Sequence, residues 1–177
     1  MITIKDKKFR VSITNEVIQD KVKVLAEKIN KDYAGKNPVF VCILNGAFVF
    51  AADLVRYVDF QPDIVFAKYS SYDGMDTTGK VKEVLGVSAD LTGKDVVIVE
   101  DIIDTGITMS HVLPIFESKG AASVKIATLL MKPEKLRSNI TIDYCALEIP
   151  NEFIVGYGLD YDGLGRNYKD IYTVVEE

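Results

Sequence analysis

The 177-residue chain has no tryptophan, one histidine, two cysteines and five prolines. The lone His111 has no cysteine or second histidine near it, which excludes a multi-histidine metal site and gives no support to a histidine-based catalytic triad. Cys42 and Cys145 lie far apart in apolar runs, so they read as reduced, buried thiols and not as a disulfide framework. No apolar run approaches the ~18 residues of a membrane-spanning helix. Lys5, Lys7, Lys8 and Arg10 occupy the region where a secretory signal needs an apolar stretch, and a cytoplasmic protein is the expectation. Basic residues number 21 and acidic residues 26, a formal charge of −5, with the acidic groups dispersed. No broad nucleic-acid surface is announced, and neither a nucleic acid nor a membrane is expected as partner. An anionic ligand must be held locally.

What is present is an ordinary globular composition, 48% apolar and 27% charged. At roughly 150 residues per domain the chain makes about one domain, able to bury ~70% of its unfolded surface. Ile18, Val22, Leu25 and Ile29 form one stripe of a helix that Thr14 or Asn15 can cap. Residues 39–44 then form a continuous apolar run ended by Asn45-Gly46, followed by a helical pattern over 47–58. Further apolar runs at 64–67, 96–99 and 124–131 alternate with a helix near 108–119. Strands that are apolar on both faces predict an α/β fold with a central, mostly parallel sheet flanked by helices. The tail, with short strands at 144–149, 153–157 and 171–175, reads as a small β-rich lobe over one end of the sheet. Polar residues 70–82 predict a loop or loose hairpin.

Three apparent motifs fail on chemistry. Gly74 to Lys80 approximates a nucleotide-triphosphate loop, but Val81 stands where a hydroxyl must reach magnesium and no strand feeds the loop directly. Asp160-Tyr161-Asp162-Gly163 suggests a calcium loop, yet its twelfth position is Ile171 where a bidentate Glu is required. Asp104-Thr105-Gly106 spells the aspartic-protease tripeptide without a second copy to share a proton.

Residues 96–108, V-V-I-V-E-D-I-I-D-T-G-I-T, are different. An apolar strand delivers Glu100 and Asp101 at its carboxyl end, and a turn places Asp104, Thr105, Gly106, Ile107 and Thr108 at the start of a helix. Ligands of open α/β sheets bind at that edge. Amides and hydroxyls at a helix N-terminus favour phosphate, and adjacent carboxylates suit hydroxyls or a magnesium ion.

This segment resembles the phosphoribosyl-pyrophosphate motif of the type I phosphoribosyltransferases. The resemblance covers nearly the whole chain and is closest to the hypoxanthine-guanine branch: L-N-G at 44–46, S-S-Y at 70–72, L-L-M-K-P at 129–133 and I-P-N-E-F-I-V-G-Y-G-L-D-Y at 149–161 occur in family order, with Arg166 at the family spacing. It implies one phosphoribosyltransferase domain over 1–177, with a core at about 35–140 and a hood made by the N-terminal segment and about 141–177.

The implied activity is magnesium-dependent transfer of phosphoribose from phosphoribosyl pyrophosphate to a 6-oxopurine, hypoxanthine or guanine. By the same similarity Glu100 and Asp101 contact the ribose hydroxyls directly or through Mg2+. Residues Thr105, Gly106, Ile107 and Thr108 hold the 5′-phosphate, and Asp104 faces purine N7 as general acid/base. Lys132 donates to the purine O6, Phe153 stacks on the base, and the Ile154 main chain reads its edge. Leu44, Asn45 and Gly46 form the pyrophosphate loop, where the family often has a non-proline cis peptide. Ser71 and Tyr72 belong to a closing loop, Asp160 binds magnesium on the pyrophosphate, and Arg166 contacts pyrophosphate. A homodimer or homotetramer follows by analogy. Three departures stand out: Asn45 where many relatives carry Lys, Ile107 where some carry Lys, and Glu152 where a basic residue is common. The competing readings are transfer to xanthine or another base, and a phosphoribosyl-pyrophosphate-sensing regulator that binds nucleic acid.

Overall fold

The computed structural model describes residues 1–71 and 81–175. Its elements run β1 (Ile2–Ile4), β2 (Lys7–Ile13), α1 (Asn15–Asp32), β3 (Val39–Ile43), α2 (Phe48–Tyr57), β4 (Asp63–Ser71), β5 (Val81–Leu85), β6 (Asp95–Ile103), α3 (Ile107–Ser118), β7 (Ser123–Met131), β8 (Tyr144–Glu148), β9 (Ile154–Val155) and β10 (Ile171–Val174), with a 3-10 turn at Pro133–Lys135. The main sheet has the order β5-β4-β3-β6-β7-β8, parallel throughout except for β5, which runs antiparallel beside β4.

The apolar runs alternate between two cores, one on each face of this sheet. Phe40 and Cys42 of β3 with Val97 and Val99 of β6 pack against Leu25 and Ile29 of α1 and Phe50 and Leu54 of α2. Val39, Val41 and Ile98 turn to the other face, against Met109, Val112 and Phe116 of α3. Each fully buried Val, Leu or Ile contributes about 1.5–3 kcal/mol relative to exposure. Covering both faces is what permits the strands to be apolar without alternation.

The second sheet, antiparallel in the order β1-β2-β10-β9, joins the two ends of the chain into a hood. Its small core is Ile4, Phe9, Val155 and Tyr172. The hood is fastened to the helices by Tyr157, whose hydroxyl donates to Asp53 Oδ2 at 2.5 Å. Gln19 Nε2 donates to the same oxygen at 2.7 Å, and the Tyr57 hydroxyl donates to Gln19 Oε1 at 3.0 Å.

Two expectations are corrected. Residues 144–148 belong to the main sheet, as the parallel neighbour of β7, and not to the hood. The connection from β7 carries no helix, so nothing in its pattern signals a parallel crossover. Thr14 does occupy the N-cap position of α1, but its side chain makes no cap bond; instead Asp170 Oδ1, from the hood, accepts the Asn15 amide at 2.8 Å. Residues 70, 71, 81 and 82 are strand, so the expected loop is bounded by the β4–β5 pair, while the nucleotide-loop resemblance at 74–80 lies outside the described residues.

Candidate active site

The site forms where β3 and β6 end and the hood folds over them. β6 carries its polar residues onto the last positions of a buried strand. Glu100 is buried and its Oε1 accepts the Asp101 amide at 3.1 Å, while Asp101 Oδ1 accepts the Ile102 amide at 2.8 Å. Burial pushes the Glu100 carboxyl well above the usual carboxylate range, and the neighbouring Asp101 charge adds to this.

After β6 the chain turns into α3. Asp104 Oδ2 lies 2.9 Å from Lys135 Nζ and 3.7 Å from Lys132 Nζ, while its Oδ1 is enclosed with no hydrogen-bond partner among the described residues. The Thr105 carbonyl is pinned by three donors: the Arg137 amide at 3.0 Å, the Ser138 amide at 3.3 Å and the Ser138 hydroxyl at 3.1 Å. Gly106 has φ +75°, and a Cβ there would strike Ser138 Oγ and Leu136 Cδ1. Only glycine fits this left-handed position, which leads directly into α3. The Ile107 amide donates to Thr105 Oγ1 at 3.4 Å.

Opposite lies the loop after β3. The Leu44 amide donates to the Ala67 carbonyl of β4 at 2.8 Å, and the Leu44–Asn45 peptide is cis. Gly46 sits so close to Asp101 Oδ2 that a Cβ would overlap it. From the hood, Arg166 Nη2 pairs with Asp160 Oδ1 at 2.7 Å, and Arg166 Nη1 donates to the Gly158 carbonyl at 2.7 Å. Asp160 Oδ2 accepts the Gly163 amide at 2.6 Å.

Together these residues enclose a cleft of about 320 Å3. Of the expected site residues, Leu44, Asn45, Gly46, Glu100, Asp101, Asp104, Thr105, Gly106, Thr108, Asp160 and Arg166 line it. Ile107 does not, and its side chain is 44% exposed. Lys132 follows β7, only 7% exposed, and reaches the cleft through Asp104. Phe153 and Ile154 stand apart. Phe153 lines a separate hollow with Arg10, Glu152 and Thr173 and is 45% exposed, whereas the Ile154 side chain is buried. Ser71 ends β4, and Tyr72 lies outside the described residues.

Tyr69 and Met109 also line the cleft, and Lys135 and Ser138 hold its turn. Only Lys135, three positions after Lys132 and just past a strand end, leaves a trace in the sequence.

No cluster of three His, Cys, Asp or Glu side chains that could hold a metal occurs among the described residues. A magnesium ion held mainly by ligand oxygens and water needs only one or two carboxylates, a condition the Glu100–Asp101 pair meets. Both oxygens of Asp160 are already engaged, so that residue fits the role less well than the sequence implied.

The phosphoribosyl transferase domain family matches residues 13–162. The chain belongs to this family. It is 44% identical over 169 residues to a hypoxanthine-guanine phosphoribosyltransferase of Streptococcus thermophilus, covering 95% of this chain and 94% of that protein. The Streptococcus pneumoniae enzyme of the same name is equally similar, 44% over the same coverage. A crystal structure of a Bacillus anthracis hypoxanthine-guanine phosphoribosyltransferase superposes with TM-score 0.91 at 42% identity, covering 96% of this chain and 100% of that one. A Staphylococcus aureus hypoxanthine phosphoribosyltransferase gives TM-score 0.90 at 40% identity, covering 96% and 92%. The type I phosphoribosyltransferase fold, a mostly parallel sheet with an antiparallel hood, is therefore the architecture of this chain.

Proposed function

We propose that this chain is a purine-salvage enzyme that transfers phosphoribose from phosphoribosyl pyrophosphate to hypoxanthine or guanine, giving IMP or GMP and pyrophosphate. The observation that carries this reading is the meeting of Asp104 with Lys132 beside the Thr105–Thr108 turn. A proton acceptor, a donor for an exocyclic oxygen and a phosphate nest stand side by side.

In the reaction, purine N9 bonds to the ribose C1 carbon as the bond from that carbon to pyrophosphate breaks, through an oxocarbenium-like state. The N7 proton passes to the Asp104 carboxylate, whose Oδ1 has no competing partner among the described residues. The Lys132 ammonium donates to O6, which selects oxo over amino purines. The turn amides and the Thr105 and Thr108 hydroxyls orient the 5′-phosphate at the α3 N-terminus. Glu100 and Asp101 accept from the ribose hydroxyls, and Arg166 turns its planar fork to the pyrophosphate. Phe153 lines a neighbouring hollow in this structure and would turn its exposed ring to the cleft to stack on the base, with the Ile154 main chain reading its edge. Glu100 and Asp101 would hold Mg2+, joined by Asp160 on release from Arg166, and the ion would supply positive charge to the pyrophosphate.

The reading includes a cytoplasmic protein working as a homodimer or homotetramer. The exposed Ile64, Phe66, Val84 and Leu85 on neighbouring strands β4 and β5 support pairing of copies, and no described helix is long and apolar enough to cross a membrane. Incubating the protein with magnesium, phosphoribosyl pyrophosphate and each of hypoxanthine, guanine, xanthine and adenine tests the assignment. IMP and GMP formation is expected, and turnover of neither base overturns it.

A further inference from the structure

We propose that Lys68 is a binding residue for the pyrophosphate group, supplying to the Leu44–Gly46 loop a positive charge that the loop itself lacks. The inference deepens the reading above and rests on it.

The cleft is poor in available cations. Glu100, Asp101, Asp104 and Asp160 all border it, and the one arginine in its lining, Arg166, is held by Asp160 at 2.7 Å. Lys132 and Lys135 are both turned to Asp104. Within the loop the side chains are Leu44, Asn45 and the hydrogen of Gly46, none of them charged. A diphosphate entering there would meet carboxylates, with Arg166 already paired to one of them.

Lys68 is placed to correct this. The Ala67 carbonyl accepts the Leu44 amide at 2.8 Å, which sets the next β4 residue, Lys68, level with the loop. Ala67 and Tyr69 are buried on the α3 side of the sheet, and Lys68 alternates to the opposite face. Its Nζ reaches across the strand ends and donates to Asn45 Oδ1 at 3.4 Å. That bond is long and its acceptor neutral, so among the described residues the ammonium charge is uncompensated and two of its donors have no partner. Among the described residues Lys68, beside the cleft at Asn45, takes part in no ion pair, whereas Arg166, Lys132 and Lys135 are already bound to carboxylates. An anion seated on the loop amides therefore gains a charge-assisted bond from Lys68 without breaking an existing salt bridge.

The test compares wild type, K68Q, K68R and the double variant N45K/K68Q in steady-state assays, with calorimetric titration of magnesium pyrophosphate into each. For K68Q, KM for phosphoribosyl pyrophosphate and the dissociation constant of pyrophosphate should rise together by about tenfold or more, the effect of one lost charged hydrogen bond. KM for hypoxanthine and the melting temperature should stay put. K68R should retain most of the affinity, and N45K/K68Q should recover it, because the charge is restored at the neighbouring position.

An active wild type with K68Q unchanged in both constants overturns the role of Lys68 and leaves the enzyme assignment standing. A wild type that makes no nucleotide overturns the assignment, and the calorimetry then still decides Lys68: weaker pyrophosphate binding in K68Q upholds it, equal binding or none removes it. Failure of N45K/K68Q to recover affinity also removes the charge-supplying role.

Discussion

The α-carbon of Gly158 packs against the carbonyl oxygen of Gly46, so closely that a Cβ would overlap that oxygen. The hood thus touches the loop after β3 backbone to backbone, and Gly46 in turn abuts Asp101. Replacing Gly158 by Ala meets this contact with the residue at φ +98°, which L side chains rarely adopt. G158A should destabilise the protein by about 1–3 kcal/mol, in line with overpacking elsewhere. It should also raise KM for phosphoribosyl pyrophosphate more than KM for the base. Denaturant unfolding with paired kinetics checks both, and an unaltered melting point would show that the loop yields freely.

Asp104→Asn keeps the size of the side chain while removing its capacity to take a proton. Turnover should fall by about a hundredfold or more, the usual range for a general acid/base. Substrate dissociation constants measured by calorimetry should move far less. Equal losses in kcat and in binding would assign Asp104 to holding Lys132 and Lys135 and not to proton transfer.

Lys132→Ala tests selectivity. On the proposed reading its ammonium donates to the oxo group, so kcat/KM for hypoxanthine and guanine should drop by roughly a hundredfold, with no comparable loss for adenine, which lacks the acceptor. Competition between the bases in one assay measures the ratio directly. A uniform decline across all of them would speak against oxo recognition.

The two thiols should differ in reactivity. Cys42 is fully enclosed in β3, and burial pushes its thiol up to about 12, whereas Cys145 in β8 is half-buried. Native protein at pH 8 should release its Cys42 signal to an aromatic disulfide reagent only after denaturant is added. The pH dependence has a definite sign. An unfolded thiol ionises near ~8.5, so above that pH the unfolded state has lost a proton that the folded state retains. The stability contribution is complete below about 8.5 and declines towards pH 12, by up to ~1.4 kcal/mol per pH unit. C42A should show a shallower alkaline decline in chemical denaturation.

The elements most legible from sequence are those whose signals are local. Val96 to Val99 declares a buried strand, and Asp104, Thr105 and Gly106 declare the turn that follows, because apolar continuity and turn chemistry act between near neighbours. The α1 stripe from Ile18 to Ile29 is equally plain. Assigning residues 144–148 to the hood fails because their partner β7 is identified only by pairing, and the segment between carries no helical period. Asp170 capping α1 is illegible for the same reason: the amide and its acceptor are separated by most of the chain. Within the site, Glu100 and Asp101 announce themselves as charges ending an apolar run. Lys68 and Ser138 read as ordinary polar residues until folding sets them beside Asn45 and Thr105.

The position of β10 in the hood has a consequence for biosynthesis. It lies between β2 and β9, with Tyr172 opposite Val11, so β2 must wait for a strand that follows it far along the chain. At ribosomal speeds of about 5–20 residues per second, Phe9 and Ile4 spend on the order of ten seconds without Val155 and Tyr172 to pack against during elongation. The main sheet is complete once residue 148 has emerged, but Ile154, Tyr157 and Ile171 have still to join the core between it and helices α1 and α2. A nascent chain halted before residue 171 would therefore present the floor of the catalytic cleft with no roof above it, and two sticky strands at its leading end for chaperones to shield.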